Sequence, residues 1–396
     1  MIPYGRQAID DADISAVVEV LKSDFLTQGP QVPAFERAVV QYLSKDAPYG
    51  KPLYAVAANS ATSVLHLACM ALEVGPGDRV WTCANSFAAS SNCALYCGAE
   101  IDFVDIDATT LNMSVSALSE KLARAALATR LPKVVIPVDF AGRPAPLHEI
   151  RALADQYGFA IVEDASHAIG SQYLGQKVGT HGLADVTVFS FHPVKIVTTA
   201  EGGLAITHNK SLFQRMAMLR THGITRDPDL MEHDDVGPWY YEQLALGFNY
   251  RLTDMQAALG ISQLKKIDAF IRARHAVRQT YETQLHELTV LGKLMLPAPD
   301  EEGSPSALHL YPVQLLPAAA KTRREVFENL RAAGIGVNVH YLPIYLHPYY
   351  RQLGFKPGLC PNAETYYERA ISLPMHVRLE RGQQEHVIKT LASALA

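Results

Sequence analysis

Short apolar runs alternate with longer stretches of helical periodicity throughout the first half of the chain. Two of the helical stretches are amphipathic and cover residues 117–128 and 148–157. Strands that alternate with helices in this way predict a largely parallel sheet with helices on both of its faces. The predicted strands are residues 53–58, 79–82, 100–107, 133–138, 159–163, 186–191 and 203–207.

A different pattern begins near residue 253, where one long helical stretch covers residues 253–288. The chain beyond it predicts a smaller α+β unit, with strands at 309–315 and 336–340 and a helix near 323–333. We therefore predict an α/β fold divided into two domains. A large domain with an N-terminal arm covers residues 1–255, and a connecting helix with a small C-terminal domain covers residues 256–396.

Composition narrows the class of protein. Of the 396 residues, 48% are hydrophobic and 19% are charged, which is typical of a folded globular chain. The net charge of −5 comes without a basic block, so we expect no nucleic-acid partner. We find no signal peptide and no apolar run near the roughly 20 residues that span a bilayer, so we expect a cytoplasmic protein. The 5 cysteines lack CxxC spacing, which favours reduced thiols and no metal site.

Polar residues follow several predicted strands at the point where each strand ends. In parallel α/β sheets, ligands bind beyond the carboxyl ends of the strands. Ser60 follows the first strand, Ser86 the second and Asp164 the fifth, while Ser190 and Lys195 follow the strand near residue 186. We therefore expect these side chains to meet at one edge of the sheet.

Asp164 and Lys195 are the charged residues of this edge. Asp164 ends an apolar strand, where a buried carboxylate needs a cationic partner such as a protonated pyridine nitrogen. Its alternative role is to cap a following helix. Lys195 either extends to solvent or has a lowered pKa and acts as a Schiff-base nucleophile. The residues alone leave both alternatives open.

Small residues and an aromatic ring complete the predicted site. Ser60, Ala61 and Thr62 open a helix whose backbone N–H groups can bind a phosphate, with Ser190 on the opposite side. Ordinary helix capping is the alternative. Phe87 can lie against a planar ring or pack into the core. A lysine, an acid, a phosphate cup and an aromatic ring at one sheet edge are what a pyridoxal 5′-phosphate (PLP) site requires.

Four segments of the chain resemble the DegT/DnrJ/StrS family of sugar aminotransferases. They are residues 59–62 (NSAT), 162–168 (VEDASHA), 189–203 (FSFHPVKIVTTAEGG) and 247–253 (GFNYRLT). The resemblance runs through nearly the whole chain. It implies the type I fold of PLP-dependent aminotransferases and the transfer of an amino group to a nucleotide-linked keto-sugar.

The resemblance also implies a role for each matching residue. Lys195 would bind the cofactor covalently and Asp164 would pair with its pyridine nitrogen. His167 would lie by the ring hydroxyl and Phe87 would stack on the ring. The active unit would be a homodimer with shared sites, because one phosphate ligand comes from a second subunit. The phosphate ligands would be Ala61, Thr62, Ser190 and, from that second subunit, Asn249.

Two further segments, residues 24–29 (DFLTQG) and 338–345 (NVHYLPIY), resemble family members that serve pseudaminic acid biosynthesis. This resemblance implies L-glutamate as amino donor and UDP-2-acetamido-2,6-dideoxy-β-L-arabino-hexos-4-ulose as acceptor. The residues that it assigns to the nucleotide-sugar are Tyr4, Asp24, Phe25, Leu26, Thr27, Asn338, Val339, His340 and Tyr341.

Three alternatives stay open. Related sugar dehydratases carry histidine in place of the anchoring lysine, and Lys195 argues against them. A non-catalytic regulatory protein would tolerate the loss of Lys195 or Asp164. An aminotransferase for another nucleotide-4-keto-sugar, such as that of the 4-amino-4-deoxy-arabinose pathway, would have a similar site.

Overall fold

The computed structural model describes residues 1–45, 52–233 and 237–395, and in its first half strands and helices alternate as the pattern predicts. The strands are β1 (Tyr54–Ala58), β2 (Arg79–Cys83), β3 (Glu100–Val104), β4 (Val134–Ile136), β5 (Ala160–Asp164), β6 (Gln172–Tyr173), β7 (Gln176–Lys177), β8 (Val186–Ser190), β9 (Gly203–Thr207), β10 (Ile224–Thr225), β11 (Glu242–Gln243), β12 (Leu294–Met295), β13 (Tyr311–Leu315) and β14 (Ala370–Leu373). The helices are α1 (Asp11–Leu21), α2 (Gln31–Ser44), α3 (Ala61–Ala71), α4 (Ala89–Tyr96), α5 (Val115–Leu127), α6 (Leu147–Tyr157), α7 (Lys210–Leu219), α8 (Asp254–Leu264), α9 (Ile267–Gln284), α10 (His286–Val290), α11 (Arg323–Ala332), α12 (Pro348–Gln352), α13 (Pro361–Arg369) and α14 (Arg381–Leu395).

A seven-stranded sheet in the order β1-β9-β8-β5-β4-β2-β3 forms the centre of the molecule. Strand β9 runs antiparallel to both of its neighbours, and the other neighbouring pairs are parallel. Every residue of β4, β8 and β9 is buried, as expected for strands covered by helices on both faces. The predicted α/β class with a mostly parallel central sheet is therefore confirmed.

A three-stranded antiparallel sheet, β12-β13-β14, lies in the C-terminal part. Helices α9, α11 and α14 pack on it through Val277, Val326 and Val387. The N-terminal arm reaches the hydrophobic cluster of this sheet as well, because Ile2 bridges to Ile335 and packs against that cluster. The two sheets lie on either side of the predicted boundary after residue 255, and the division into domains there stays a prediction.

The cores of the two parts are continuous. One hydrophobic cluster combines Val80 and Phe103 of the large sheet with Tyr345 and Tyr350 from the C-terminal part. The rings of Phe103 and Tyr345 are 5.7 Å apart, and so are those of Phe103 and Tyr350. The connection between the two sheets is therefore apolar and closely packed.

The structure corrects two predicted elements. The single helical stretch at 253–288 is divided into α8, α9 and α10, and Lys266 at the first break lies 2.8 Å from Asp10 and 2.6 Å from Asp13. The predicted strand at 336–340 is wrong, because this segment forms only a bridge between Asn338 and Ser372. The Asn338 side chain accepts the next backbone N–H at 2.8 Å, which competes with pairing to a strand.

The five cysteines, Cys69, Cys83, Cys93, Cys97 and Cys360, are free thiols, as predicted. All but Cys97 are buried. Among the described residues no helix is both long enough and apolar enough to cross a membrane.

Candidate active site

Lys195 lies in the loop that joins β8 to β9, at the carboxyl edge of the sheet. Its backbone N–H donates to the carbonyl of His192 at 2.9 Å, and Thr198 and Thr199 tie the loop back to Phe191. Burial lowers the pKa of Lys195 to about 8, and the Asp164 carboxylate opposes part of that shift. The amine is therefore neutral at a much lower pH than an exposed lysine.

Asp164 is the last residue of β5 and is almost fully buried. Its carboxylate accepts hydrogen bonds from Ser90 Oγ at 2.6 Å and from Ser166 Oγ at 2.5 Å and Ser166 N at 3.2 Å. These three hydrogen bonds fix the orientation of the Asp164 carboxylate. A turn follows Asp164, so the alternative of a helix cap is wrong.

His167 lies beside these groups as a neutral ring. Its Nδ1 accepts the backbone N–H of Ala141 at 3.3 Å, so the ring proton is on Nε2, which lies 3.4 Å from the Tyr341 hydroxyl. Burial lowers the pKa of His167 well below its usual value, and the positive charge of Lys195 adds to the effect. His167 is therefore a donor through Nε2.

The predicted phosphate cup lies where α3 begins beside β9 and β8. Ser60 caps α3 by accepting the N–H of Ser63 at 3.1 Å, and the preceding amides of Ala61 and Thr62 cannot be satisfied within the helix. Gly203 pairs with both Ala58 and Ser190, which brings Ser190 to the same place. A Cβ on Gly203 would lie 2.4 Å from the Ala61 nitrogen, so only glycine fits.

Four residues predicted to contact the sugar lie close to this group. Asn338 Nδ2 lies 3.4 Å from His340 Nε2, and the rings of Tyr4 and His340 are 5.3 Å apart. Burial lowers the pKa of His340 to about 3, and Lys195 contributes to that shift. Tyr341 contacts His167. Val339, which lies between Asn338 and His340 in the chain, is half-buried.

Other predicted residues are exposed on the single chain. Phe87 is 61% exposed, with its ring 6.5 Å from that of Tyr341, so core packing is wrong for this residue. Asn249 is also exposed. The segment with Asp24, Phe25, Leu26 and Thr27 is exposed and runs along the start of α8, where Asp254 N–H donates to the Leu26 carbonyl at 3.0 Å.

Sequence reasoning missed three side chains of the site. Ser90 holds Asp164, Asn85 accepts the backbone N–H of Tyr341 at 3.0 Å, and the ring of His309 lies 4.3 Å from that of His167. Asn85 follows β2, so the strand-end rule could have found it. Ser90 lies on a helix buried on most sides, where a polar residue is itself a signal. His309 precedes β13 and carries no such signal.

This arrangement can be compared with known proteins. The family model described as the DegT/DnrJ/EryC1/StrS aminotransferase family matches residues 7–392. The chain belongs to this family. The UDP-4-amino-4,6-dideoxy-N-acetyl-β-L-altrosamine transaminase of Campylobacter jejuni serotype O:23/36 is 37% identical over 395 residues, which is 100% of this chain and 98% of the relative.

Solved structures agree with this assignment. Helicobacter pylori PseC, an aminotransferase involved in the biosynthesis of pseudoaminic acid, matches with a TM-score of 0.85 and 31% identity, covering 100% of this chain and 99% of that one. The PLP form of the putative sugar aminotransferase Spr1654 from Streptococcus pneumoniae matches with a TM-score of 0.86 and 30% identity, covering 99% and 98%. This member of the family is a PLP-dependent sugar aminotransferase.

The side chains at the sheet edge fit the cofactor. A buried carboxylate is available for the pyridine nitrogen, a lysine with a lowered pKa for the aldehyde, and the first amides of α3 for the phosphate. These are the chemical groups that PLP requires of a protein.

Proposed function

We propose that this aminotransferase moves the amino group of L-glutamate to C4 of UDP-2-acetamido-2,6-dideoxy-β-L-arabino-hexos-4-ulose. The product would be UDP-4-amino-4,6-dideoxy-N-acetyl-β-L-altrosamine, a precursor of pseudaminic acid. The observation that carries the proposal is the contact of His340 with both Tyr4 and Asn338, next to Tyr341 at His167. The name of the Campylobacter relative, whose sequence aligns over this entire chain, supports the same acceptor.

Lys195 has two tasks in this proposal, since it is the covalent anchor of the cofactor and the general acid–base. PLP, when bound, supplies the electron sink that makes the α-hydrogen of an amino acid acidic. The Lys195 amine then removes that proton from glutamate in the first half-reaction and delivers a proton to C4 of the sugar in the second. A pKa of about 8 suits both directions near neutral pH.

Other residues of the site hold the reacting groups in place. Asp164 would keep the pyridine nitrogen protonated, and His167 would donate from Nε2 to the ring hydroxyl. Phe87 would cover the open face of the ring. The amides of Ala61 and Thr62, with the Ser190 hydroxyl, would hold the phosphate.

We also propose a homodimer with shared sites. Large apolar side chains stand exposed on the segment that leads to Asn249: Trp239 is 72% exposed and Leu246 is 80% exposed. Exposed apolar surface of this kind marks an interface, and a second copy would bring Asn249 towards the phosphate. The free thiols support a location in the reducing cytoplasm.

The substrate is tested by incubating purified enzyme with L-glutamate and a panel of UDP-4-keto-sugars, then identifying each amino-sugar by mass and NMR. We expect the altrosamine product to form with the highest kcat/KM. A higher kcat/KM for the 4-keto-arabinose substrate would contradict the proposed acceptor but leave the aminotransferase assignment intact. Regulatory function would require that no sugar of the panel reacts.

Reconstitution of PLP-free enzyme is expected to depend on pH through Lys195. The neutral amine is the nucleophile, so the rate of PLP binding should rise about tenfold per pH unit below pH 8 and level off above it. Stopped-flow absorbance between pH 6 and pH 9.5 measures this. A plateau that begins only near pH 10 would show that Lys195 has an ordinary pKa.

Two replacements of His167 are expected to show whether its hydrogen-bond donor or its size matters for activity. His167→Leu removes the Nε2 donor and should lower kcat/KM by about 10- to 100-fold, the cost of a hydrogen bond to a charged oxygen. His167→Gln keeps an N–H donor and should lose less than tenfold. Steady-state kinetics and the absorbance of bound cofactor measure both. Equal losses in the two variants would contradict the donor role.

A further inference from the structure

Two carboxyl groups that the mechanism does not use lie beneath the site. Asp139 follows β4, and Glu163 precedes Asp164 in β5; both are completely buried. Asp139 Oδ1 accepts the N–H of Ala145 at 2.8 Å, and Glu163 Oε2 accepts the Thr187 hydroxyl at 2.6 Å. Their second oxygens, Asp139 Oδ2 and Glu163 Oε1, are buried without a hydrogen-bond partner among the described residues.

One proton between the two carboxyls satisfies both of these oxygens. Strands β4 and β5 are parallel with Val138 opposite Asp164, so the side chains of Asp139 and Glu163 lie on the same face of the sheet, where two ionised carboxylates would repel each other. Burial raises the pKa of Asp139 well above its usual value, and the neighbouring Glu163 adds to the shift. In the described part of the chain, His181 Nε2 is the cationic candidate within 4 Å of Glu163, and its 3.6 Å distance from Glu163 Oε1 is too long for a hydrogen bond.

Asp139 is connected to Asp164 through the main chain. Its backbone N–H donates to the Asp164 carbonyl at 3.1 Å, and Val138 and Asp164 form a bridge between the ends of β4 and β5. Glu163 and Asp164 are consecutive in β5, so their side chains point to opposite faces of the sheet. The carboxyl pair thus fixes the strand end that carries Asp164 from the face opposite the cofactor site.

We propose that Asp139 and Glu163 share one proton and act as positioning residues for Asp164. The shared proton removes one of three negative charges at neighbouring strand ends, and it locks Asp139 so that its N–H holds the Asp164 backbone. The inference rests on the proposed role of Asp164 at the pyridine nitrogen.

Few titratable side chains of the described residues lie near Asp139 and Glu163. Asp164 is next to Glu163 in β5 but points to the other face of the sheet, and His181 comes from the loop before β8. Cys83 comes from β2, where burial, followed by the charges of Asp164 and Asp139, raises its pKa to about 12. Cys83 therefore stays a neutral thiol, and Nδ1 of His181 accepts the N–H of Leu183 at 3.3 Å.

The shared proton is tested by the pH dependence of stability. The pKa of Asp139 is raised on folding, so its contribution to stability is complete below the unfolded value near 4 and falls as pH rises towards the folded value. Asp139→Asn keeps a side-chain donor to Glu163 but cannot lose a proton, so its stability should not fall with pH in this way. We expect its Tm, minus that of the wild type, to rise by at least about 3 °C between pH 5 and pH 9 in excess PLP. The exposed Asp155→Asn should show a constant difference. A constant difference for Asp139→Asn would overturn the proposal.

Positioning is tested by cofactor affinity. Asp139→Ala leaves the Ala145 N–H and the Glu163 carboxyl without partners, and we expect its Kd for PLP to rise at least tenfold. Asp139→Asn should stay within about threefold of the wild type. Equal values for both variants, high or low, would overturn the positioning role. Borohydride labelling of residue 195 in the same samples tests the proposed function separately, because labelled Lys195 with an unaffected Asp139→Ala would refute only this inference.

Discussion

Lys195→Ala is expected to show no detectable turnover with L-glutamate and any UDP-4-keto-sugar. Proton transfer by a positioned group contributes about 10²- to 10⁴-fold by itself, and the variant also loses the covalent anchor. The loss should therefore exceed that range. Product formation followed by mass spectrometry over several hours measures it.

A surface lysine provides the matched control for this variant. Lys22 is exposed, and among the residues that the structure describes it pairs only with Glu19 three residues away, so Lys22→Ala should keep wild-type rates. Borohydride reduction of the wild type should leave a pyridoxyl group on the peptide that contains Lys195. Turnover of Lys195→Ala at a rate near that of the wild type, or an unmodified peptide in fully loaded enzyme, would refute the assigned role.

Asp164→Asn is expected to lower kcat at least about 100-fold. The amide has the same shape, and its oxygen can still accept from Ser166 while its NH2 donates to the Ser90 hydroxyl oxygen, but it cannot stabilise a positive charge on the pyridine nitrogen. Removing one partner of a buried ion pair costs about 3–5 kcal/mol, and each 1.4 kcal/mol is a factor of ten. Single-turnover measurement with L-glutamate isolates the proton-transfer step from sugar binding.

Comparison of two variants shows whether the effect is specific. Asp155 is an exposed aspartate paired with Arg151, so Asp155→Asn changes the net charge equally without touching the site. It should retain full activity. A loss of less than threefold in Asp164→Asn would show that Asp164 is not the partner of the cofactor nitrogen.

Much of the site was predictable because one rule of sheet geometry connects distant parts of the chain. The carboxyl ends of parallel strands share an edge, so Asp164, Ser190 and Lys195 could be placed together from the positions of their strands. The order of the strands was not needed for this. Helix starts after strands predicted the open amides of Ala61 and Thr62 in the same way.

Other parts depend on packing between elements that are distant in sequence. The contact of Ser90 with Asp164 requires the position of α4, and the pairing of Asp139 with Glu163 requires the adjacency of β4 and β5. Helical periodicity continued across Lys265 and Lys266, so the sequence carried no sign of the break that the structure has there. Asn249 and residues 24–27 are exposed on the single chain, and the proposed role of Asn249 requires a second subunit.

The shared cluster around Phe103 has a consequence for how the molecule loses its structure. Tyr345 and Tyr350 reach into the core of the seven-stranded sheet, so neither half can melt without exposing apolar surface of the other. Heating should therefore give a single cooperative transition. A fragment that ends at residue 255 would leave the apolar surface around Phe103 exposed to water and would aggregate.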